Sequence, residues 1–246
     1  MPHRTALASS AQPPGGGFSE WGRLGGAAQM ADSAIPLDLI RPSNARAALV
    51  LAHGAGAGKD HWFMTGIAAA LARVEIATAR FNFAYVRAGR KLPDKAPICE
   101  AEVREVCAAV HVAWPDLPLF AGGKSMGGRM TSQTQAATPL PGVRGLVFLG
   151  FPLHAAKKPD TKRAAHLRAI NLPMLFMQGQ RDALADLTLL QPIVAALPTA
   201  QLLVIPEADH GFEVPKRTGK DRDAIAAELA QAIATFIEHC IAGPTR

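Results

Sequence analysis

Cysteine is scarce in this chain: Cys99, Cys107 and Cys240 are the only three in 246 residues. An odd count offers no even disulfide framework. Cys99 and Cys107, eight apart on one predicted helix, stand about 12 Å apart along its axis, beyond disulfide reach. A disulfide-built secreted scaffold is therefore excluded, and a reduced, cytoplasmic protein is expected. Long apolar runs are also missing. Ala47 to Ala52 and Gly145 to Phe151 are among the longest, far short of the ~20 residues of a membrane span, so no membrane partner is expected. Aromatic residues are absent from the two basic runs, Lys157-Lys158-Pro-Asp-Thr-Lys162-Arg163 and Lys216-Arg217-Thr-Gly-Lys220-Asp-Arg222. Acids sit inside both runs and the net charge is only +6. They read as solvated loop faces, and no nucleic-acid partner is expected.

What remains is an ordinary globular composition, 49% hydrophobic and 19% charged, in a length that suits one α/β core. Residues 1–33 are rich in Gly, Ala, Ser and Pro, with Pro13-Pro-Gly-Gly-Gly17 inside, and show neither helix nor strand periodicity. They read as a disordered tail preceding one domain over residues 34–246. Met30 is an alternative start.

From there strands and helices alternate. Predicted strands are an edge strand Ile35 to Arg41, then Ala47 to Ala52, Ile76 to Asn82, Leu119 to Ala121, Leu146 to Phe151, Met174 to Met177 and Gln201 to Ile205. Predicted helices span about His61 to Arg73, Ile98 to Trp114, Arg129 to the residues before Pro139, Leu187 to Leu197 and Arg222 to Ile241. Phe83 to Pro97 reads as a basic loop carrying Arg87, Arg90, Lys91 and Lys95. Continuously apolar strands between helices require a mostly parallel, doubly wound sheet with helices on both faces.

One stretch organises the chemistry. Leu119 to Ala121 runs into Gly122-Gly123-Lys124-Ser125-Met126-Gly127 and then a helix. Gly123 to Gly127 is G-x-S-x-G, the nucleophile-elbow pattern, which presents a serine hydroxyl above the sheet from a strained strand-to-helix turn. Gly123 and Gly127 are expected to shape that turn, where strand and helix pass too closely for side chains. A phosphate-binding loop is rejected: its first glycine would fall at Pro118, which has no N–H and a fixed φ. The decoy Gly54-Ala-Gly-Ala-Gly58-Lys59-Asp60 fails as well, because its first glycine would be His53 and an aspartate follows the lysine.

In an open α/β sheet, sites form beyond the carboxyl ends of the strands. His53-Gly54, Ser125, Asp182 and His210 all stand just past predicted strand ends. The last three read Ser, Asp, His in chain order, with room for the intervening elements. Ser125 is the candidate nucleophile and His210 its base, while Asp182 holds the imidazole tautomer. Asp186, on the same loop, is the alternative orienting acid, whereas Asp209 is adjacent to His210 and points the wrong way. The Met126 and Ala55 N–H groups are the expected oxyanion donors, with Gly54 and Gly56 shaping the second. His61, His111, His154, His166 and His239 read as structural or solvated. Lys124 is unassigned between an anion contact and local packing, and Met126 and Arg129 are expected to have no side-chain chemistry.

Taken together, these motifs resemble the α/β-hydrolase superfamily, of the small dienelactone-hydrolase-like type. The likeness is carried by His53-Gly-Ala-Gly56, Arg80-Phe-Asn-Phe83, Ala88-Gly-Arg-Lys-Leu-Pro-Asp94, Gly122-Gly-Lys-Ser-Met-Gly-Gly-Arg129, Gly150-Phe-Pro-Leu153, Gln178-Gly-Gln-Arg-Asp182 and Asp209-His210. It runs from about Ile35 to the end, and is greatest to the group containing testis-expressed protein thirty and the third subunit of the NSL acetyltransferase complex. The resemblance implies the α/β-hydrolase fold. It leaves two functions open, because some relatives serve as scaffold subunits in chromatin complexes. Ser125 departs from the cysteine nucleophile of the closer dienelactone hydrolases.

The expectation is a carboxylesterase- or thioesterase-like serine hydrolase that cleaves a small ester or thioester without metal or organic cofactor. The alternative is a non-catalytic interaction module. Only the ~20 residues between Phe151 and Ile170 are available as a lid, so the site should be shallow. The arginines of the Phe83 to Pro97 loop are available to an acidic substrate group.

Overall fold

The computed structural model describes residues 33–243, and the expected N-terminal tail lies almost wholly outside them. Seven strands form one sheet: β1 (Leu37–Ile40), β2 (Ala47–Ala52), β3 (Ile76–Phe81), β4 (Leu119–Lys124), β5 (Val143–Leu149), β6 (Met174–Gly179) and β7 (Ala200–Ile205). Their spatial order is β1-β3-β2-β4-β5-β6-β7. β1 runs antiparallel on the edge against β3, and the other six are parallel. This is the doubly wound, mostly parallel sheet expected from the apolar runs.

Alternation along each strand splits the core in two. Ala48, Val50 and Ala52 of β2 face one cluster with Leu146 and Phe148 of β5. Ala47, Leu49 and Leu51 face the other with Val147 and Leu149. The helices divide accordingly. α1 (Trp62–Arg73) and α6 (Arg222–Ala242) cover one face through Ile67, Leu71, Leu229 and Ile233. α3 (Ala96–Ala113), α4 (Met126–Ala137) and α5 (Leu187–Ala195) cover the other through Val103, Met130 and Leu190.

The chain passes from β2 to β3 on one side, then returns to place β4 on the other. The strand order therefore reverses between β2 and β4, and a crevice opens outside their carboxyl ends. Ala52 pairs with Gly123, and Lys124 with Leu149. The residues just past β2, β4 and β5 consequently emerge side by side.

Two departures from the sequence reading bear on the site. α4 starts at Met126, directly after Ser125, and not at Arg129. Gly127 and Gly128 are poor helix formers in isolation, but tertiary packing dictates the outcome. A Cβ on Gly127 would stand 2.2 Å from the Ala52 carbonyl oxygen, so only glycine lets the helix begin this close to β2. The basic Phe83 to Pro97 stretch is not all loop. It contains the short helix α2 (Ala84–Arg87), and α3 begins before its predicted start. Glu102 of α3 accepts the Ala84 N–H at 3.0 Å and pairs with Arg87 at 2.8 Å. A helix this short is held by such tertiary contacts and not by propensity.

Candidate active site

Ser125 occupies the turn between β4 and α4 with φ 51° and ψ −115°. This left-handed backbone is rare for a residue with a Cβ and marks stored strain. Gly123 makes the approach possible, since a Cβ there would meet the Ala52 carbonyl oxygen at 2.1 Å. Ser125 Oγ lies 2.9 Å from His210 Nε2. His210 Nδ1 lies 2.7 Å from Asp182 Oδ2. With the carboxylate accepting at Nδ1, the neutral imidazole carries its hydrogen there and leaves Nε2 free to accept the serine hydroxyl.

Asp182 is the carboxylate that reaches His210 in this geometry, and its competitors are otherwise engaged. The Asp182 side chain is fully buried. Its Oδ1 accepts the Leu184 N–H at 2.7 Å, and Oδ2 also accepts from Gln178 Nε2. Asp186 caps α5 by accepting the Thr188 N–H at 2.9 Å, a use that the Asp-x-Thr spacing at a helix start signals. Asp209 Oδ1 accepts the Gly211 and Glu213 N–H groups and shapes the turn that carries His210.

The loop after β2 lies against the elbow. A Cβ on Gly54 would sit 3.6 Å from Ser125 Cβ. The Ala55 and Met126 N–H groups have no acceptor among the described residues, leaving both free to donate. The loop is held by two residues to which sequence reasoning gave no role. His53 is buried, hydrogen-bonds the Gly54 carbonyl through Nδ1 at 2.8 Å, and accepts the Phe83 N–H at Nε2. Burial lowers its pKa, so it remains the neutral tautomer those bonds require. The Tyr85 hydroxyl donates to the Ala55 carbonyl at 3.1 Å. The shaping role expected of Gly54 and Gly56 needs correction. Neither has a left-handed φ, and a Cβ at Gly56 would meet nothing within 4 Å.

Lys124 resolves towards packing. Its Nζ donates to the His210 carbonyl at 2.5 Å and lies 5.8 and 5.4 Å from the ring centres of Phe63 and Phe212. Burial lowers its pKa to about 8, against the pull of Asp182 and Asp209. The stacked Phe63 and Phe212 rings, 5.5 Å apart, separate it from a cavity of about 250 Å³ between α1 and α6. That cavity is not lined by Ser125, His210 or Asp182.

Ser132 and His166 form a second serine–histidine contact, at 2.8 Å. It is a structural tie between α4 and the 310 helix Lys162–Ala169. Ser132 is buried in mid-helix and donates to the Arg129 carbonyl, no carboxylate among the described residues contacts the imidazole, and burial lowers the His166 pKa to about 4. His61 caps α1, and His154 accepts the Asp186 N–H. The Phe83 to Pro97 arginines are also committed: Arg87 pairs with Glu102, and Arg90 with Asp94 at 2.7 Å.

Solved structures share this fold. A dienelactone hydrolase from Anabaena variabilis superposes with a TM-score of 0.66 at 19% identity, over 85% of this chain and 94% of that one. An α/β serine hydrolase homologue from Coxiella burnetii gives 0.65 at 19% identity, over 81% and 89%. A serine hydrolase without a lid from Xanthomonas campestris gives 0.62 at 20% identity, over 87% and 94%. The model of the alpha/beta hydrolase domain family matches residues 45–238, and the chain belongs to that family.

Proposed function

We propose that the protein is a serine hydrolase that cleaves a small ester or thioester through an acyl-enzyme. The observation that carries this reading is the chain of hydrogen bonds from Ser125 Oγ through His210 to Asp182, at 2.9 and 2.7 Å, beside two unengaged N–H groups. In the reaction, Ser125 Oγ attacks the substrate carbonyl as its proton passes to His210 Nε2. Asp182 stabilises the imidazolium without taking the proton. The oxyanion receives the Met126 and Ala55 N–H groups, each worth about 3 kcal/mol of transition-state stabilisation in comparable sites. His210 then protonates the leaving alcohol or thiol, and water enters by the same steps to release the acid.

The segment between β5 and β6 supports a small, accessible substrate. Residues Ala155 to Thr161 are exposed, with one isolated bridge, Ala155 to Lys158, so the stretch before the 310 helix forms no packed body able to cover the crevice.

Labelling with a fluorophosphonate, read by intact mass, tests the reading. One adduct on the wild type, absent from Ser125→Ala, is expected. No adduct on folded wild type would instead favour the non-catalytic interaction module, the role of some members of the group containing testis-expressed protein thirty.

A further inference from the structure

One polar side chain stands in β6. The strand reads Met174-Leu175-Phe176-Met177-Gln178-Gly179, buried throughout. Phe176 faces one half of the core and Met177 the other, so alternation turns Gln178 to the same side as Phe176. Gln178 is fully buried, and its Oε1 has no hydrogen-bond partner among the described residues. A buried acceptor without a donor lowers stability. An apolar side chain of similar length would fill the space without that loss. Packing does not account for a glutamine here.

Its amide nitrogen does. Gln178 Nε2 donates to Asp182 Oδ2, the oxygen that lies 2.7 Å from His210 Nδ1. A carboxylate only accepts, so the amide must turn its nitrogen towards Asp182 and its oxygen away. The orphaned Oε1 is the consequence of that one bond. Oδ2 has two lone pairs, and Gln178 and His210 take both. Oδ1 is held by the Leu184 N–H at 2.7 Å, a donor from the same loop as Asp182 itself. Gln178 is the donor that comes from the sheet, on a strand paired along both edges with β5 and β7. The next residue sits against the loop of the base: a Cβ on Gly179 would meet the Asp209 carbonyl oxygen at 2.4 Å. The end of β6 therefore holds the acid and touches the segment that bears His210.

The bond also bears on charge. A donor that stabilises a carboxylate weakens its pull on any other hydrogen. Asp182, sharing Oδ2 with Gln178, holds the Nδ1 hydrogen less tightly than it would alone. The other charged and titratable groups around the pair are Lys124 at the end of β4, Arg181 beside Asp182, Asp209 beside His210, and Asp186 with His154 beyond Leu184. All are retained when Gln178 alone is changed, so a difference between variant and wild type belongs to Gln178.

We infer that Gln178 is a positioning residue of the proposed reaction: through Asp182, it aims Oδ2 at His210 Nδ1 and limits how tightly that oxygen holds the imidazole hydrogen. The inference rests on the proposed hydrolase reading for its effect on turnover, but not for the coupling of Gln178 to His210.

Two measurements test it. The first uses the wild-type protein and needs no turnover. In proton–nitrogen spectra, the Gln178 side-chain N–H should exchange slowly with deuterium and should shift as His210 titrates, because both bond one oxygen. A Gln178 amide that exchanges at once, or ignores the titration, overturns the inference even if esters are cleaved. A coupled amide supports it even if the protein hydrolyses nothing, an outcome that would count against the hydrolase reading alone. The second compares Gln178→Met with wild type in hydrolysis of 4-nitrophenyl acetate across pH. The acid limb of kcat/KM should move up by about 0.5 to 1 pH unit, part of the worth of a hydrogen bond to a charged group. On the plateau kcat should fall about tenfold at unchanged KM, as a misaimed base implies. A merely structural glutamine would change the melting temperature and leave the limb in place. An unmoved limb overturns the inference whatever happens to kcat, and Gln178→Leu supplies the same comparison if the methionine variant does not fold.

Discussion

Lys124 Nζ donates to the backbone carbonyl of His210 at 2.5 Å, so the residue before the candidate nucleophile holds the loop that bears its base. Ser125 and His210 are 85 positions apart, and their alignment depends on two strand ends keeping a fixed separation. The ammonium is enclosed by Phe63 and Phe212, which exclude the water that would compete for the carbonyl. Removing it should loosen His210 without altering Ser125, His210 or Asp182 themselves.

Lys124→Met should therefore lower kcat ten- to a hundredfold, the scale of a misplacement near 1 Å. Its stability should move the other way at neutral pH. The folded pKa of about 8 lies below the usual 10.5, so the unfolded chain binds more protons between these values and wild-type stability rises with pH across that window. Below about pH 8 the buried charge costs wild type on the order of 3 kcal/mol. Urea unfolding should show the variant's advantage shrinking from pH 7 to pH 10, and a constant difference would contradict this account.

Tyr85→Phe removes the hydroxyl that donates to the Ala55 carbonyl and leaves the ring packed beside Phe83 and His53. If that bond aims the Ala55 N–H at the developing oxyanion, the loss falls on the transition state alone. We expect kcat to drop about tenfold with KM little changed, and stability to fall by about 1 kcal/mol. A rise in KM at unchanged kcat would place Tyr85 in substrate binding instead.

The parts of this molecule legible in its sequence are those that local pattern determines. β2 is six apolar residues buried on both faces, and such a run has few alternatives. Gly123 to Gly127 marks a turn because only glycine tolerates the contacts with Ala52. The choices made by long-range pairing were not legible. Asp182 and Asp186 share one loop, and only the cap bond from Thr188 and the pocket around Gln178 separate them. The arginines of the basic loop read as free, yet Glu102 and Asp94 take Arg87 and Arg90. Arg129, which reads as a bland helix residue, keeps a buried Nε with no hydrogen-bond partner among the described residues.

Asp182→Asn tests the tautomer argument. Both carboxylate oxygens accept: Oδ1 from the Leu184 N–H, Oδ2 from Gln178 and His210. An amide must present two hydrogens to one of these sets of donors, so it either disrupts the loop or faces His210 with the wrong group. In serine proteases the equivalent change costs about 10⁴ in kcat, and a loss of similar size is expected for ester hydrolysis. The fluorophosphonate labelling rate should fall with it. Undiminished labelling would mean that His210 needs no orienting acid.

Gly127→Ala and Gly56→Ala should behave oppositely, although both glycines flank the same crevice. At Gly127 a Cβ would lie 2.2 Å from the Ala52 carbonyl oxygen and 2.7 Å from that of His53. These are backbone atoms of β2 and the residue after it, and they cannot rotate away. Separating α4 from β2 should cost about 3 kcal/mol or more and displace Ser125 with it. At Gly56 a Cβ would enter open space and φ is not left-handed. Alanine there restricts the unfolded chain and should leave stability unchanged or raise it by up to about 1 kcal/mol. Thermal melting of the two variants decides the matter. Equal destabilisation would show that the loop after β2 needs glycine for a conformation other than this one, such as a closed form adopted only around bound substrate.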